Sequence, residues 1–402
     1  MTLPICPDSC EILCNRVREK RLERIAGKLL KKIYYFSRQQ LKDSQMIENS
    51  YCVNWIASNT KILPATPIDL RFEFKLQNLV IRLLRFLFHN DLCPNKIQYK
   101  MNIVLTGSLG NIGKPLAIEL VQKGHSVTVI SSKADRQKDI EALGAKAAIG
   151  TMQDVEFLAN TFKGADTVYL MEAWEGIGSI FDKDVDFVAA FKKIGNNYKQ
   201  AVKQSGVLRI VHLSSIGAHT DQGTGSLYLH NTVENILKEL PKAVAIKYMR
   251  PVGFYNNIYR YMQTIKTQGK IVQSYGGDKK EPWVSPLDIA AAIAEEMEKP
   301  FKGRTVRYLA SDEVSPNEVA KIIGAAIGKP DLEWSVISDE ETLAGMLSAG
   351  VNEWIANGFV KMQAAQRDGS LYTNFYLHKP ALGKVKMTDF AKDFAKIYNE
   401  SN

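Results

Sequence analysis

Between Asn102 and Ala117 the chain reads NIVLTGSLGNIGKPLA, with Gly107, Gly110 and Gly113 spaced three apart. Ile103, Val104 and Leu105 form a continuous apolar run, the pattern of a strand covered on both faces in a parallel sheet. From Ile112 on, Ile112, Leu116, Ile118, Leu120 and Val121 recur at mostly helical spacing. A second apolar run, SVTVIS, covers Ser126–Ser131. The glycines therefore sit on a strand-to-helix turn. There, residues without a Cβ permit a tight bend, close helix–strand packing and close approach of the backbone to a pyrophosphate. The helix start adds free N–H groups and the positive end of a dipole. A plain structural turn is the alternative, but strand, glycines, helix and second strand in sequence are what a dinucleotide-binding turn requires.

The end of the second strand bears on which dinucleotide. An acidic residue there would hold the ribose 2′-OH of NAD. This chain has Ser131, Ser132 and Lys133, then Arg136, with Asp135 the nearest acid. Hydroxyls and cations suit a 2′-phosphate, so NADP(H) is expected ahead of NAD(H). Read without a ligand, the same residues are a solvated loop with ordinary surface charge.

The alternation continues downstream. Helical patterns over 138–143, 155–162, 184–204 and 233–240 separate strand patterns over 145–150, 165–170, 208–213 and 243–249. Strands alternating with helices predict an α/β fold, a Rossmann-type doubly wound parallel sheet. The expected organisation is a basic, Cys-containing extension over 1–100, a nucleotide-binding Rossmann domain over 101–253, and a small C-terminal α+β substrate lobe over 254–402.

Composition divides at about residue 100. The first hundred residues hold 17 Lys/Arg against 9 Asp/Glu, a net of +8, whereas the remaining 35 and 34 nearly cancel. All five cysteines (Cys6, Cys10, Cys14, Cys52, Cys93) lie in that first stretch, with only one of the 27 glycines. The basic balance thus belongs to an appendage, helical or disordered, and does not argue for nucleic-acid binding by the whole chain. Asn15–Phe36 has a basic helical pattern that could meet nucleic acid, membrane or a partner. Cys6, Cys10 and Cys14 would share one helical face, but their spacing is no familiar zinc pattern, and no metal site is expected. Met101 stands just before the first strand. A start assigned upstream of the natural one, or a loosely attached extension, is the preferred explanation of residues 1–100. The longest apolar candidate, Leu79–Phe88, is short and carries Arg82 and Arg85, so no membrane span is expected. With no signal-peptide pattern and no cysteine in the main domain, the reading is cytoplasmic.

Six segments in order carry a family resemblance: GSLGNIG after a TG, GADTVYLM, VHLSSIGAH, His230-x-x-x-Glu234, MRPVGFYNN and WVSPLDIAAAI. Together they resemble the NmrA-like branch of the atypical short-chain dehydrogenases/reductases, bacterial NAD(P)H:quinone oxidoreductase-like members above all, over about Met101 to Asn402. The resemblance implies a cleft at the strand C-terminal ends. It also implies that Gly107, Gly110, Asn111, Ile112 and Gly113 line the pyrophosphate, with Ser108 and Leu109 in the same turn. Ser131, Ser132, Lys133 and Arg136 would surround the adenosine ribose. Two departures stand out. Thr151 occupies a position where family members often carry Asp. The superfamily's Tyr-x-x-x-Lys pair is also missing, since Tyr275–Lys279 spans a Gly-Gly-Asp turn and comes too late in the fold.

His230 falls where that Lys would lie, and Ser226 where the Tyr would. His230 and Glu234 are i and i+4 on a predicted helix and can touch. An imidazole beside the nicotinamide could orient substrate or supply a proton after hydride transfer, although a helix-surface ion pair would look the same in sequence. Tyr228 and Ser215 are further catalytic candidates. Trp174, Phe254 and Tyr255 could wall a substrate, or simply pack. The expected function is reduction of a small-molecule quinone or similar conjugated carbonyl by hydride from NADP(H). The alternative is a non-catalytic NADP redox sensor that acts on a protein partner. A homodimer is compatible with either.

Overall fold

The structure is a computed structural model that describes residues 100–173 and 176–400. The cysteine cluster, the basic stretch at 15–36 and Trp174 lie outside the described residues. In the first half, β1 (Asn102–Leu105), α1 (Gly113–Gln122), β2 (Ser126–Ser131), α2 (Gln137–Ala142), β3 (Lys146–Ile149) and α3 (Val155–Phe162) alternate without interruption. Then come β4 (Thr167–Leu170), α4 (Phe187–Ser205), β5 (Arg209–Leu213), α5 (Tyr228–Lys238) and β6 (Ala245–Pro251). Local chemistry sets the helix ends. Asp186 caps α4 by accepting from the Ala189 N–H at 2.9 Å, and Gly206 ends it at φ 76°.

The second half holds β7 (Gly253–Phe254), α6 (Met262–Gln268), β8 (Lys270–Gln273), β9 (Glu281–Val284), α7 (Pro286–Glu298) and β10 (Arg304–Leu309). It continues with β11 (Asp312–Val314), α8 (Pro316–Ala326), β12 (Glu333–Val336), α9 (Asp339–Ser348), α10 (Glu353–Asp368), α11 (Thr373–Leu377) and α12 (Met387–Glu400).

Seven strands form one parallel sheet in the order β10-β6-β5-β4-β1-β2-β3. The seventh strand comes from the segment after 253: β10 returns to the main sheet beside β6. Apolar cores fill both faces of that sheet, with Leu105, Leu116 and Tyr169 on one side and Phe162, Ile194 and Val168 on the other. Each such side chain removed from water stabilises by roughly 1.5–3 kcal/mol. A third core, around Tyr255, Trp283, Trp334 and Phe394, belongs to the lobe. Among the described residues no helix is long and apolar enough to cross a membrane.

The strand order reverses between β1 and β4: β2 and β3 follow β1 toward one edge, and β5 and β6 follow β4 toward the other. In open parallel sheets the ligand crevice lies at such a switch point, outside the C-terminal ends of the strands, which here are the ends of β1 and β4.

Candidate active site

The glycine-rich turn occupies one side of the crevice. Gly107 has φ 87° and Ser108 φ 54°, so the chain turns through two left-handed residues before α1. The turn is pinned to both neighbouring strands: Thr106 N–H donates to Tyr169 O at 3.1 Å and Ser108 N–H to Ile130 O at 3.0 Å. A Cβ on Gly107 would overlap Met171 Sδ, and one on Gly113 would overlap Ser108 O. Gly110 differs, because a Cβ there would meet nothing closer than Gly107 O at 3.7 Å. The protein itself therefore does not require glycine at 110 for packing, while a pyrophosphate lying on that backbone would. No side chain caps α1; in its first turn the Lys114 N–H donates to Gly110 O at 3.1 Å and Pro115 has no N–H, which leaves the Gly113 N–H as the donor an anion would meet there. Leu109 packs partly against the core, Asn111 is exposed and Ile112 is buried.

At the end of β2, Ser131 is buried and bonded to Ser108 Oγ at 3.0 Å, which ties the strand end to the turn. Ser132, Lys133 and Arg136 are exposed beside it, Arg136 within 3.5 Å of Asp139. Asp135 is exposed on the short helical turn that follows, and no acid stands on the strand end. Thr151 Oγ1 accepts from the Gln153 N–H at 3.2 Å, so this residue closes its own loop.

Across the crevice, the ends of β4 and β5 and one face of α5 bring together three groups that are far apart in sequence. Glu172, two residues past β4, has a fully buried side chain. Its Oε1 lies 3.0 Å from His212 Nε2, and its Oε2 lies 3.7 Å from Nδ1 of His230. Burial opposes the charge on Glu172, but the two imidazoles outweigh it and hold the carboxyl at about 2. His212 is buried on β5, edge-on to Tyr248. The His230 ring is partly open to solvent and meets Phe191 edge-on, with centroids 5.8 Å apart. The backbone leading to Glu172 is clamped on both sides: Met171 N–H donates to Thr106 Oγ1 at 2.9 Å, and Met171 O accepts from Tyr198 OH at 2.5 Å. Burial, then the charge of Glu172, pushes the Tyr198 phenol up, so it stays a donor.

His230 and Glu234 do not pair, which corrects the i,i+4 expectation. Glu234 is buried under α5, where it accepts from Ser214 Oγ at 2.6 Å and from Arg250 Nε and Nη2 at 2.9 and 2.7 Å. The forked guanidinium rising from β6 outcompetes an imidazole on the same helix. Arg250 also reaches Tyr308 OH and Ala218 O, both at 3.2 Å. Ser214 is thus committed to the scaffold. Ser215 is half-buried, and no protein hydrogen bond engages its hydroxyl among the described residues.

The other candidates are dispersed. Tyr228 leans edge-on to Trp354 and lines a groove between α4 and α5 with Lys192 and Asn196, which includes neither His230 nor Glu172. Phe254 is half-buried against the main core. Tyr255 is not a substrate wall: it is fully buried, its OH donates to Val385 O at 3.1 Å, and its ring packs on Phe390. Tyr275 and Lys279 flank a turn, as their sequence implies. Glu172 was missed at the sequence level. The available signal was an acid two residues after the buried run TVYL, at the strand end where ligands bind in such sheets.

Comparison with known proteins bears on the same residues. The chain is 23% identical over 264 residues to an NAD(P)H azoreductase of Xenophilus azovorans, which covers 65% of this chain and 86% of that protein. The fold is similar to that of the NADPH-dependent quinone oxidoreductase of Escherichia coli in complex with NADPH, with TM-score 0.58 and 18% identity over 73% of this chain and 99% of that one. It is similar also to a Citrobacter triphenylmethane reductase, with TM-score 0.56 and 18% identity over the same shares. A model of the NmrA-like family matches residues 99–390, which takes in the glycine-rich turn, the Glu172–His230 cluster and most of the lobe. The chain belongs to the NmrA-like family.

Proposed function

We propose that this chain is an NADP(H)-dependent oxidoreductase that reduces a quinone, an azo compound or a similar flat conjugated electrophile. The observation that carries the reading is an imidazole, His230, partly open to solvent at the strand C-terminal ends and backed by a buried carboxylate. It lies on the same crevice as a turn whose glycine at 110 serves no packing need of the protein. The cofactor, once bound, supplies the hydride. Gly107, Gly110 and Gly113 with the uncapped start of α1 would hold its pyrophosphate. Ser132, Lys133 and Arg136 would face the 2′-phosphate, as their exposure and charge suit it. His230 would give a proton to the atom left electron-rich by hydride addition. The free hydroxyl of Ser215 would bond a substrate carbonyl. Flat electrophiles that accept hydride readily need little further acid catalysis, in keeping with the absence of the Tyr-x-x-x-Lys pair.

The test is NADPH absorbance decay with the full chain, a naphthoquinone and an azo dye. Turnover with NADPH should exceed that with NADH and fall about 100-fold in His230→Ala. Lys133→Ala should raise KM for NADPH about tenfold and leave KM for NADH unchanged. Intact NADPH binding with no turnover on any acceptor would overturn the reductase and leave a non-catalytic cofactor binder that acts on a protein partner.

A further inference from the structure

Three polar atoms near the cleft lack hydrogen-bond partners although they are buried: Glu172 Oε2, His230 Nδ1 and His212 Nδ1. The first two face each other at 3.7 Å, just beyond hydrogen-bond reach. A buried orphan carboxylate oxygen and a buried orphan ring nitrogen that face each other are two halves of one bond. Apo sites often hold such bonds long and tighten them on binding.

The Glu172 carboxylate has little freedom to move elsewhere. Its other oxygen is held by His212, whose ring is fully buried. Its backbone follows Met171, fixed by Thr106 at the N–H and by Tyr198 at the carbonyl. Met171 Sδ also fills the space over Gly107, so the same residue touches the cofactor turn and sets the start of the Glu172 loop. His230, by contrast, projects from α5 with part of its ring open. The rigid partner is the carboxylate and the adjustable one is the imidazole.

We propose that Glu172 is a positioning residue for His230: it draws the Nδ1–H of the imidazole toward Oε2 and so presents Nε2 to the substrate. The inference rests on the reductase reading given above. When hydride from the cofactor forms a bond to one end of the conjugated acceptor, the displaced electron pair moves to the oxygen or nitrogen at the other end. The His230 Nε2–H bond breaks and that atom takes the proton. His230 is left neutral with its Nδ1 proton still toward Glu172, and water restores the proton on Nε2. Glu172 stays ionised throughout, and the sum is acceptor plus hydride plus one proton. His212 has the second part, since by occupying Oε1 it turns Oε2 toward α5.

The experiment has two independent readouts on the full chain. The first is steady-state turnover of NADPH and a naphthoquinone by Glu172→Gln, Glu172→Asp and His230→Ala, with NADPH binding measured by fluorescence as the folding control. Glu172→Gln should lower kcat about 10- to 100-fold with KM for both substrates within about twofold, and Glu172→Asp should recover part of the loss. Adding Glu172→Gln to His230→Ala should produce no further loss, because the two act as one unit. The second readout is the tautomer of His230, read from long-range proton–nitrogen correlations of its ring. The neutral ring should carry its proton on Nδ1 in the parent and lose that preference in Glu172→Gln. Wild-type kcat in Glu172→Gln, a loss that adds to that of His230→Ala, or an unchanged tautomer would each overturn the proposal. If the parent chain turns over no acceptor, the reductase reading fails, and the tautomer measurement alone still decides whether Glu172 orients His230.

Discussion

Glu172 in the cleft and Glu281 in the lobe are both carboxylic acids removed from water, yet they rest in opposite charge states. Two imidazoles beside Glu172 hold it at about 2 against the desolvation that opposes its charge. Glu281 sits on β9, where a phenol, Tyr372 OH, donates to its Oε2 at 2.9 Å. There burial wins, the hydrogen bonds of Tyr372 and Tyr275 offset it only in part, and the carboxyl is pushed up to about 8. Burial alone does not decide whether a carboxylate is charged; the partner does. Glu234 makes the same point from the other side, as its carboxylate is enclosed but receives a two-pronged guanidinium from Arg250. The molecule thus keeps charge at Glu172 and neutralises it at Glu281.

The sharpest way to break this contrast is to remove a cation. Arg250→Ala leaves the enclosed Glu234 with only the Ser214 hydroxyl at 2.6 Å and the more distant Lys238 Nζ at 3.8 Å, and should destabilise the fold by about 3 kcal/mol in urea denaturation. Arg250→Lys, a point charge without the fork, should recover only part of that. A small loss in Arg250→Ala would mean that water or Lys238 takes over the place of the guanidinium.

A smaller effect comes from pH, with opposite signs at the two sites. The pKa of Glu172 is lowered on folding, so its contribution is present above its ordinary value of 4.5 and is lost as pH falls toward about 2. The pKa of Glu281 is raised, so its contribution is complete below 4.5 and is lost as pH rises through about 8. Glu281→Gln should therefore raise the thermal midpoint at about pH 9 by several degrees, corresponding to ~2 kcal/mol, and change it little at about pH 5. An equal change at both pH values would show that Glu281 is not neutral in the folded chain. The smallest effect is expected for Tyr372→Phe, about 1 kcal/mol from one lost hydrogen bond. Because that bond favours the ionised form, its loss should also move the alkaline decline of stability to higher pH.

Legibility follows the range of the forces involved. The glycine-rich turn was readable because two of its requirements are local: Gly107 needs a left-handed backbone and Gly113 needs room against Ser108, five residues back along the chain; the clearance of Gly107 from Met171 was not. The absence of an acid at the end of β2 was readable for the same reason. The alternating elements could be placed from periodicity, including the long α4, which begins at Phe187 rather than 184 because Asp186 caps it. The reaction side was not readable in this way. His230 was found by its place in a motif, but its apparent partner by spacing, Glu234, belongs to Arg250, and its actual neighbour, Glu172, comes from a different strand end. Tyr255 read as a wall because it follows β6, and only the packing of α12 against it shows that the ring is enclosed.

The sequence by itself determined the class of sheet, the turn that suits a dinucleotide and the NmrA-like membership, since these depend on residue order, side-chain period and backbone freedom. The tertiary structure alone decided which acid faces His230, which carboxylates are charged and that β10 closes the main sheet. Those outcomes depend on which groups meet after the chain has folded, and on how much water is excluded where they meet; neither quantity is a property of any short stretch of residues.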